Sequence, residues 1–152
     1  MKMGNILPRN KYKKYLEILN GRCAFCIEQK ELEIKKFKYW TWSFSRFPYR
    51  KYHTLLISKR HVTKFFDLEP NELLELKKIV KYIEKRYRET GLFADKSKIG
   101  NQLFSSWRSR YDDEIKKSVE HFHLHFYVKM EGEENELFGK HPHKINQDIF
   151  KK

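Results

Sequence analysis

Late in the chain, Glu120-His121-Phe122-His123-Leu124-His125-Phe126-Tyr127-Val128 alternates polar and apolar positions with period two, the pattern of a strand buried on one face. The alternation sends His121, His123 and His125 to one side and Phe122, Leu124 and Phe126 to the other. Phe37–Phe47 is aromatic and alternating enough for an earlier strand, and Pro48–Lys51 marks a loop. Tyr52–His61 then gives a strand ending in the basic turn Lys59-Arg60-His61, and Lys98–Ser106 gives another. Helical spacing takes over from Glu69-Pro70 to about Glu89, where Leu73, Leu76, Val80, Ile83 and Tyr87 form a core-facing stripe between an N-terminal proline and Gly91. A shorter helix is predicted from an Asn10 cap to about Asn20, with Tyr12, Tyr15, Leu16 and Leu19 on one face and Gly21 as its stop. Simple packing is the expected role of that helix.

At 152 residues the chain suits one domain with a real core. Residues 1–22 read as a basic N-terminal segment with a short helix, 23–130 as the folded domain, and 131–152 as a C-terminal tail or extra packing segment. The sequence contains no internal repeat and no low-complexity tract. No apolar run follows Met1-Lys2-Met3-Gly4-Asn5, and no segment approaches the ~20 apolar residues of a membrane span. The expectation is a soluble, cytoplasmic protein without a membrane partner.

Charge changes the picture more than length does. Lysine and arginine outnumber aspartate and glutamate by 33 to 20, a net charge of +13. The first 51 residues supply 13 basic and 4 acidic side chains, a net +9, whereas Glu131–Glu136 is a short acidic run. Such an excess suits an anionic partner such as phosphate, nucleotide or nucleic acid, or else a surface solvated for solubility. Aromatic residues make up 16% of the chain, too many for a disordered polymer.

Three imidazoles at i, i+2 and i+4 span only about 7 Å of strand, repel one another when charged, and invite metal or phosphate. Both cysteines fall in Cys23-Ala24-Phe25-Cys26, a spacing that lets two sulfurs face one centre. In a reducing compartment the pair reads as half a metal site; redox activity and a disulfide are the weaker alternatives. With no second Cys-x-x-Cys, the other ligands have to be histidines or carboxylates.

The pattern His121-Phe122-His123-Leu124-His125-Phe126-Tyr127 resembles the signature of the histidine triad (HIT) superfamily of nucleotide hydrolases and transferases. Pro48, His53, Leu55, Ile57, Lys59 and His61 also fall where that family places its proline, loop and His-Thr-Leu-Val-Ile-Pro-Lys-x-His segment. The resemblance spans about Cys23 to Lys129 and implies an α/β (α+β) domain, a central antiparallel sheet of about five strands with flanking helices, in a family that often forms homodimers. It implies hydrolysis or transfer at a nucleoside 5′-phosphoryl bond, with His123 carrying the nucleotidyl group as a phosphoramidate and His125 donating to a phosphate oxygen. Ser118, three residues before His121, matches the serine of the family's Gly-Gln-Ser-x-x-His segment, here preceded by Lys116-Lys117; the alternative is an ordinary loop serine. In the zinc-containing branch, the positions matching Cys23, Cys26, His61 and His121 hold a closed structural Zn2+.

His53 has two readings, contact with the phosphate region or a strand-end hydrogen bond. Trp107, Arg108 and Arg110 are candidates to stack on a base or clamp phosphates. Counting back from His53, Ser45 stands where many members carry a ribose-binding aspartate, so the substrate is expected to be unusual. Candidate substrates are nucleoside phosphoramidates, dinucleoside polyphosphates and adenylylated adducts. Two rival readings remain: an enzyme acting on adenylylated nucleic-acid ends, favoured by the net charge and Trp107, and a zinc-stabilised nucleotide- or nucleic-acid-binding module whose catalysis has lapsed.

Overall fold

The computed structural model describes residues 6–27, 29–48, 50, 52–91, 102–107, 121–129 and 146–151. Strands β1 (Glu33–Lys36), β2 (Trp40–Phe44), β3 (Thr54–Ser58), β4 (Gln102–Ser106) and β5 (His123–Lys129) make one antiparallel sheet in the order β1-β2-β3-β5-β4. Helices α1 (Tyr12–Leu19) and α2 (Pro70–Glu89) accompany it. This is the α+β architecture, with five strands and flanking helices, that the sequence led us to expect.

Register explains how the sheet separates core from chemistry. Trp42 pairs with Leu56 and Leu56 with Leu124, while Phe44 pairs with Thr54 and Thr54 with Phe126. Paired residues project to the same side, so these rows form one face. That face packs with Leu76, Ile79, Ile83 and Tyr87 of α2 and with Phe150 near the C-terminus. The alternate rows, Thr41-Ile57-His123 and Ser43-Leu55-His125, carry two of the three histidines to the other face. Period two along β5 is therefore the device that keeps imidazoles out of the core.

Helix α2 starts and stops where its sequence directs. Pro70 occupies the first turn, and Glu69 and Glu72 form a reciprocal capping box. The stripe predicted from spacing is shifted slightly: Leu76, Ile79, Ile83 and Tyr87 are buried, while Leu73 and Val80 pack partly exposed at its margin.

A directional chain of hydrogen bonds crosses the core. Trp42 Nε1 donates to Thr54 Oγ1 at 2.9 Å, Thr54 bonds Tyr87 Oη at 2.8 Å, and Tyr87 donates to the Tyr52 carbonyl at 2.6 Å. Burial holds the Tyr87 hydroxyl well above the usual phenol range, so it stays a donor. Tyr52 has φ +58°, a left-handed conformation uncommon outside glycine, and Tyr87 secures it just before His53.

Several expectations need correction. The stretch Phe37–Phe47 is a strand only over Trp40–Phe44, and Tyr52–His61 only over Thr54–Ser58. Strand β1, Glu33–Lys36, was not foreseen. Asn10 does not cap α1: it lies in a 3-10 turn, Arg9–Lys11, and the residue preceding the helix is Lys11, with no side-chain cap. The stop is as expected, with Asn20 and Gly21 both at positive φ. The predicted strand Lys98–Ser106 is described only over Gln102–Ser106. Ser118, Arg108, Arg110, Lys116, Lys117 and Glu131–Glu136 lie outside the described residues.

Thr54→Val is expected to lower stability by about 1–3 kcal/mol, because it strands the Trp42 N–H and one partner of Tyr87. A urea titration checks this, with an unshifted midpoint as the contrary outcome. Glu72 gives a pH-dependent counterpart. Burial works against its carboxylate, but the Arg60 guanidinium and the Glu69 N–H outweigh it and hold its pKa below the usual carboxylate range. Stabilisation from a depressed pKa is present above the unfolded value and lost as pH falls through the folded one. Glu72→Gln should therefore lower the thermal midpoint at pH 7 and converge with wild type in acid; an equal deficit at both pH values would exclude the ionised pair.

Candidate functional site

Two clusters lie side by side around the start of β5. The first brings together Cys23, Cys26, His61 and His121, whose ligand atoms all lie within 4.8 Å of one another. Cys26 Sγ is 3.1 Å from His61 Nδ1 and 3.5 Å from His121 Nδ1, and Cys23 Sγ is 3.5 Å from His121 Nδ1. A tetrahedral ion with metal–sulfur bonds of about 2.3 Å and metal–nitrogen bonds of about 2.0–2.1 Å needs sulfur–nitrogen edges of about 3.6 Å. Two of the three separations are within about 0.1 Å of that edge, and the third is shorter. The four residues are close enough to bind a metal ion.

His121 is prepared for that role. Its Nε2 donates to the Ser58 carbonyl at 2.6 Å, which leaves Nδ1 as the lone-pair nitrogen facing the sulfurs. Burial pushes the His121 pKa down, against the pull of the Ser58 carbonyl, and the neighbouring His61 adds to the downward shift. Burial and the neighbouring Cys23 push the Cys26 thiol up. Both shifts disfavour charge in the cluster, and a divalent cation among these atoms reverses the balance for the thiols. Both cysteines are free thiols.

The second cluster faces a cleft. His123 Nδ1 lies 2.6 Å from the main-chain oxygen of His121; a carbonyl only accepts, so Nδ1 carries the proton and the neutral ring bears its lone pair on Nε2. His125 Nδ1 sits 2.9 Å from His53 Nε2, so one proton bridges the two rings. His53, which had two readings, is thus bonded to a triad member inside the cleft. Phe25, between the two cysteines, packs edge-on against His123 at 4.8 Å and His121 at 6.0 Å, joining the clusters.

The cleft is lined by His53, His123 and His125, by Ser45, Arg46 and Phe47 following β2, and by Tyr12, Tyr15 and Leu16 of α1. Simple packing is therefore an incomplete account of α1, since its aromatic face also forms a wall of the cleft. Sequence reasoning missed Arg9 and Arg46, since neither stands in a local pattern that marks it. Trp107 lies elsewhere: it is exposed and stacks on Phe65 with ring centroids 5.1 Å apart.

The HIT domain family model matches residues 28–132. The chain belongs to this family. Among solved structures, this HIT domain resembles a diadenosine triphosphate hydrolase of Plasmodium falciparum determined in complex with cyclomarin A, at TM-score 0.58 and 18% identity, covering 93% of this chain and 94% of that one. It resembles a zinc-bound histidine triad family protein of Mycobacterium smegmatis at TM-score 0.54 and 18% identity, covering 90% and 91%. A HIT-like protein of Bartonella henselae involved in cell-cycle regulation matches at TM-score 0.58 and 21% identity, covering 79% and 81%. At these identities the likeness concerns the fold. No curated protein sequence matches the chain. Among the described residues of this HIT domain, no helix is long and apolar enough to cross a membrane.

Elemental analysis tests the four-residue cluster. Wild type is expected to carry about one metal ion per chain, with His61→Ala and Cys23→Ser losing most of it. Undiminished stoichiometric metal in both variants would exclude this ligand set.

Proposed function

We propose that the protein is a nucleotide hydrolase or nucleotidyl transferase that cleaves a nucleoside 5′-phosphoryl bond through a covalent nucleotidyl-His123 intermediate, on a fold tied together by structural Zn2+. The observation carrying this reading is the His123 hydrogen bond. With Nδ1–H directed to the His121 carbonyl, Nε2 is the nucleophilic nitrogen of a neutral imidazole, and the same carbonyl stabilises the imidazolium formed on attack.

The step balances simply. The Nε2 lone pair forms an N–P bond at the α-phosphorus as the bond from phosphorus to the leaving group breaks, and the leaving group departs with the electron pair and takes up a proton. Water or another acceptor then attacks phosphorus, the N–P bond breaks, and neutral His123 returns. His125 is assigned to stabilise the phosphoryl oxygens, a role that requires the bridging proton to sit on His53 Nε2 so that His125 keeps its own proton on Nε2 as a donor. Ser118 is assigned by family resemblance to the phosphate or leaving group.

Zinc on Cys23, Cys26, His61 and His121 is supported by the two-sulfur, two-nitrogen donor set, which offers no open position for substrate. It would brace the turn that carries Phe25 and the residue whose carbonyl holds His123. No catalytic step passes through it.

A second reading, action on adenylylated nucleic-acid ends, draws on the net charge of +13 and on the exposed Trp107 stacked on Phe65. An assay with adenosine phosphoramidate, diadenosine polyphosphate and adenylylated DNA separates the readings. Wild type should release AMP from at least one substrate, and His123→Ala at matched folding should lose more than about a thousandfold. A marked preference for the DNA substrate, with binding that weakens steeply as salt rises, selects the second reading. AMP binding with neither turnover nor a trapped adduct in wild type overturns both and leaves a binding module.

A further inference from the structure

Among the described residues, Arg9, Arg22, Arg46, Arg60, Arg86 and Arg88 each bond a protein carbonyl or carboxylate. Arg50 has no such partner there: it makes neither an ion pair nor a hydrogen bond, and its Nη1 is buried without an acceptor. Its contact is with a ring, the guanidinium carbon lying 5.7 Å from the centre of Tyr127. A guanidinium nitrogen shielded from solvent and left without an acceptor is costly, and an anion or a water has to meet it. The surroundings of Arg50 favour the anion.

Tyr127 follows His123 and His125 on one face of β5, and Phe104, paired with it from β4, stacks on its ring at 5.4 Å. The Tyr127 ring meets His53 edge-on at 5.9 Å, and His53 Nε2 bonds His125 Nδ1 at 2.9 Å. Arg50 belongs to the turn between β2 and β3 that delivers Tyr52 and His53, and the Tyr87 hydroxyl, donating to the Tyr52 carbonyl, ties that turn to the core. The cation is thus set beyond His125, on the side away from His123. That direction sorts the parts of a nucleotide. An α-phosphoryl group at His123 carries a neutral nucleoside through its 5′ oxygen and the leaving group through the bond that breaks; the second alone can continue as a chain of anions. Steps of about 6–7 Å separate His123, His125 and Tyr127 along the strand, so a leaving group as small as ammonia ends at His125, whereas one bearing further phosphates reaches Arg50.

We propose that Arg50, backed by the Tyr127 ring, binds a phosphate of the leaving group beyond the scissile bond and so selects substrates whose leaving group carries one. This rests on the nucleotidyl-transfer reading for the place of the α-phosphoryl group. The planar fork takes two oxygens of one phosphate; it exchanges no proton and touches no reacting atom. A polyphosphate chain and a nucleic-acid strand offer the same phosphate chemistry.

Kinetics on the metal-loaded full chain, at about 0.15 M salt to limit long-range charge effects, compare adenosine phosphoramidate, diadenosine tetraphosphate and adenylylated DNA. Arg50→Gln should lower kcat/KM for diadenosine tetraphosphate, for adenylylated DNA or for both about tenfold more than for adenosine phosphoramidate, and Arg50→Lys should recover part of that excess. Loss with the first alone identifies a polyphosphate chain as the source, and loss with the DNA alone a strand phosphate. Calorimetry supplies a readout without turnover: inorganic tripolyphosphate should bind wild type about tenfold tighter than orthophosphate, and Arg50→Gln should remove most of that preference. Lys78→Gln removes the same charge from an exposed site on α2, which packs on the opposite face of the sheet, and should leave the preference in place. A purely structural Arg50 would weaken every substrate alike. If Arg50→Gln does not fold, the tripolyphosphate preference of wild type decides, and its absence overturns the proposal. Equal losses for all three substrates, or a tripolyphosphate preference unchanged in folded Arg50→Gln, also overturn it. A preference that depends on Arg50 in a wild type that turns over none of the substrates refutes nucleotidyl transfer alone; turnover of adenosine phosphoramidate with a preference indifferent to Arg50 refutes the leaving-group site alone.

Discussion

His121 is the residue on which both clusters depend. It has three hydrogen-bonding groups to offer beyond its own amide, and each is committed to a different part of the molecule. Nε2–H goes to the Ser58 carbonyl at the end of β3, Nδ1 faces Cys23 and Cys26, and the main-chain oxygen receives Nδ1–H of His123. At 1% exposure the side chain has no water to fall back on, so losing any partner leaves a buried polar group unsatisfied. The neighbouring backbone reinforces the knot, with the Phe122 N–H donating to the Val62 carbonyl at 2.6 Å. A disturbance at the cysteines therefore reaches His123 through one residue, without any change in the cleft itself.

What could be read from the sequence was whatever local periodicity and capping chemistry decide. The alternation Phe122, Leu124, Phe126 against His123 and His125 gave β5 its faces, because period two admits only one assignment once one set is apolar. The limits of α2 followed from Glu69-Pro70 and Gly91. Strand β1 was not legible for the opposite reason: Glu33-Ile34-Lys35-Lys36 has one apolar residue, sits at the sheet edge, and takes its form from β2 across a shift in register. The Asn10 cap failed because Pro8 and a 3-10 turn deliver the chain to α1 one step later, with Lys11 before the helix. Local preference was overridden there by how the N-terminal segment docks, with the Leu7 N–H bonded to the Arg46 carbonyl.

The candidate site divides in the same way. Cys23 and Cys26 lie nearly a hundred residues from His121, and only family resemblance linked them before the fold did. The Arg46 wall was invisible for a subtler reason. An arginine after Ser45 reads as an ordinary strand-end cation, and nothing in its neighbours says that it will be buried, paired with Glu31 and laid over the Tyr15 ring.

The three histidines share one predicted face yet serve two clusters, and the boundary of β5 explains how. The strand begins at His123; His121 precedes it in a bend, with Phe122 between them outside the ladder. A strand continued back through His121 would hold its ring in line with His123 and His125, three imidazoles competing for one anion. The bend swings it to lie 4.8 Å from His61 instead, while His123 and His125 remain neighbours at 4.8 Å. The strict alternation of the sequence thus supplies three equivalent side chains, and a bend at the first of them places it in the cysteine cluster. Because the carbonyl in that bend is the acceptor for His123 Nδ1–H, the same departure also fixes which nitrogen of the second histidine keeps its lone pair.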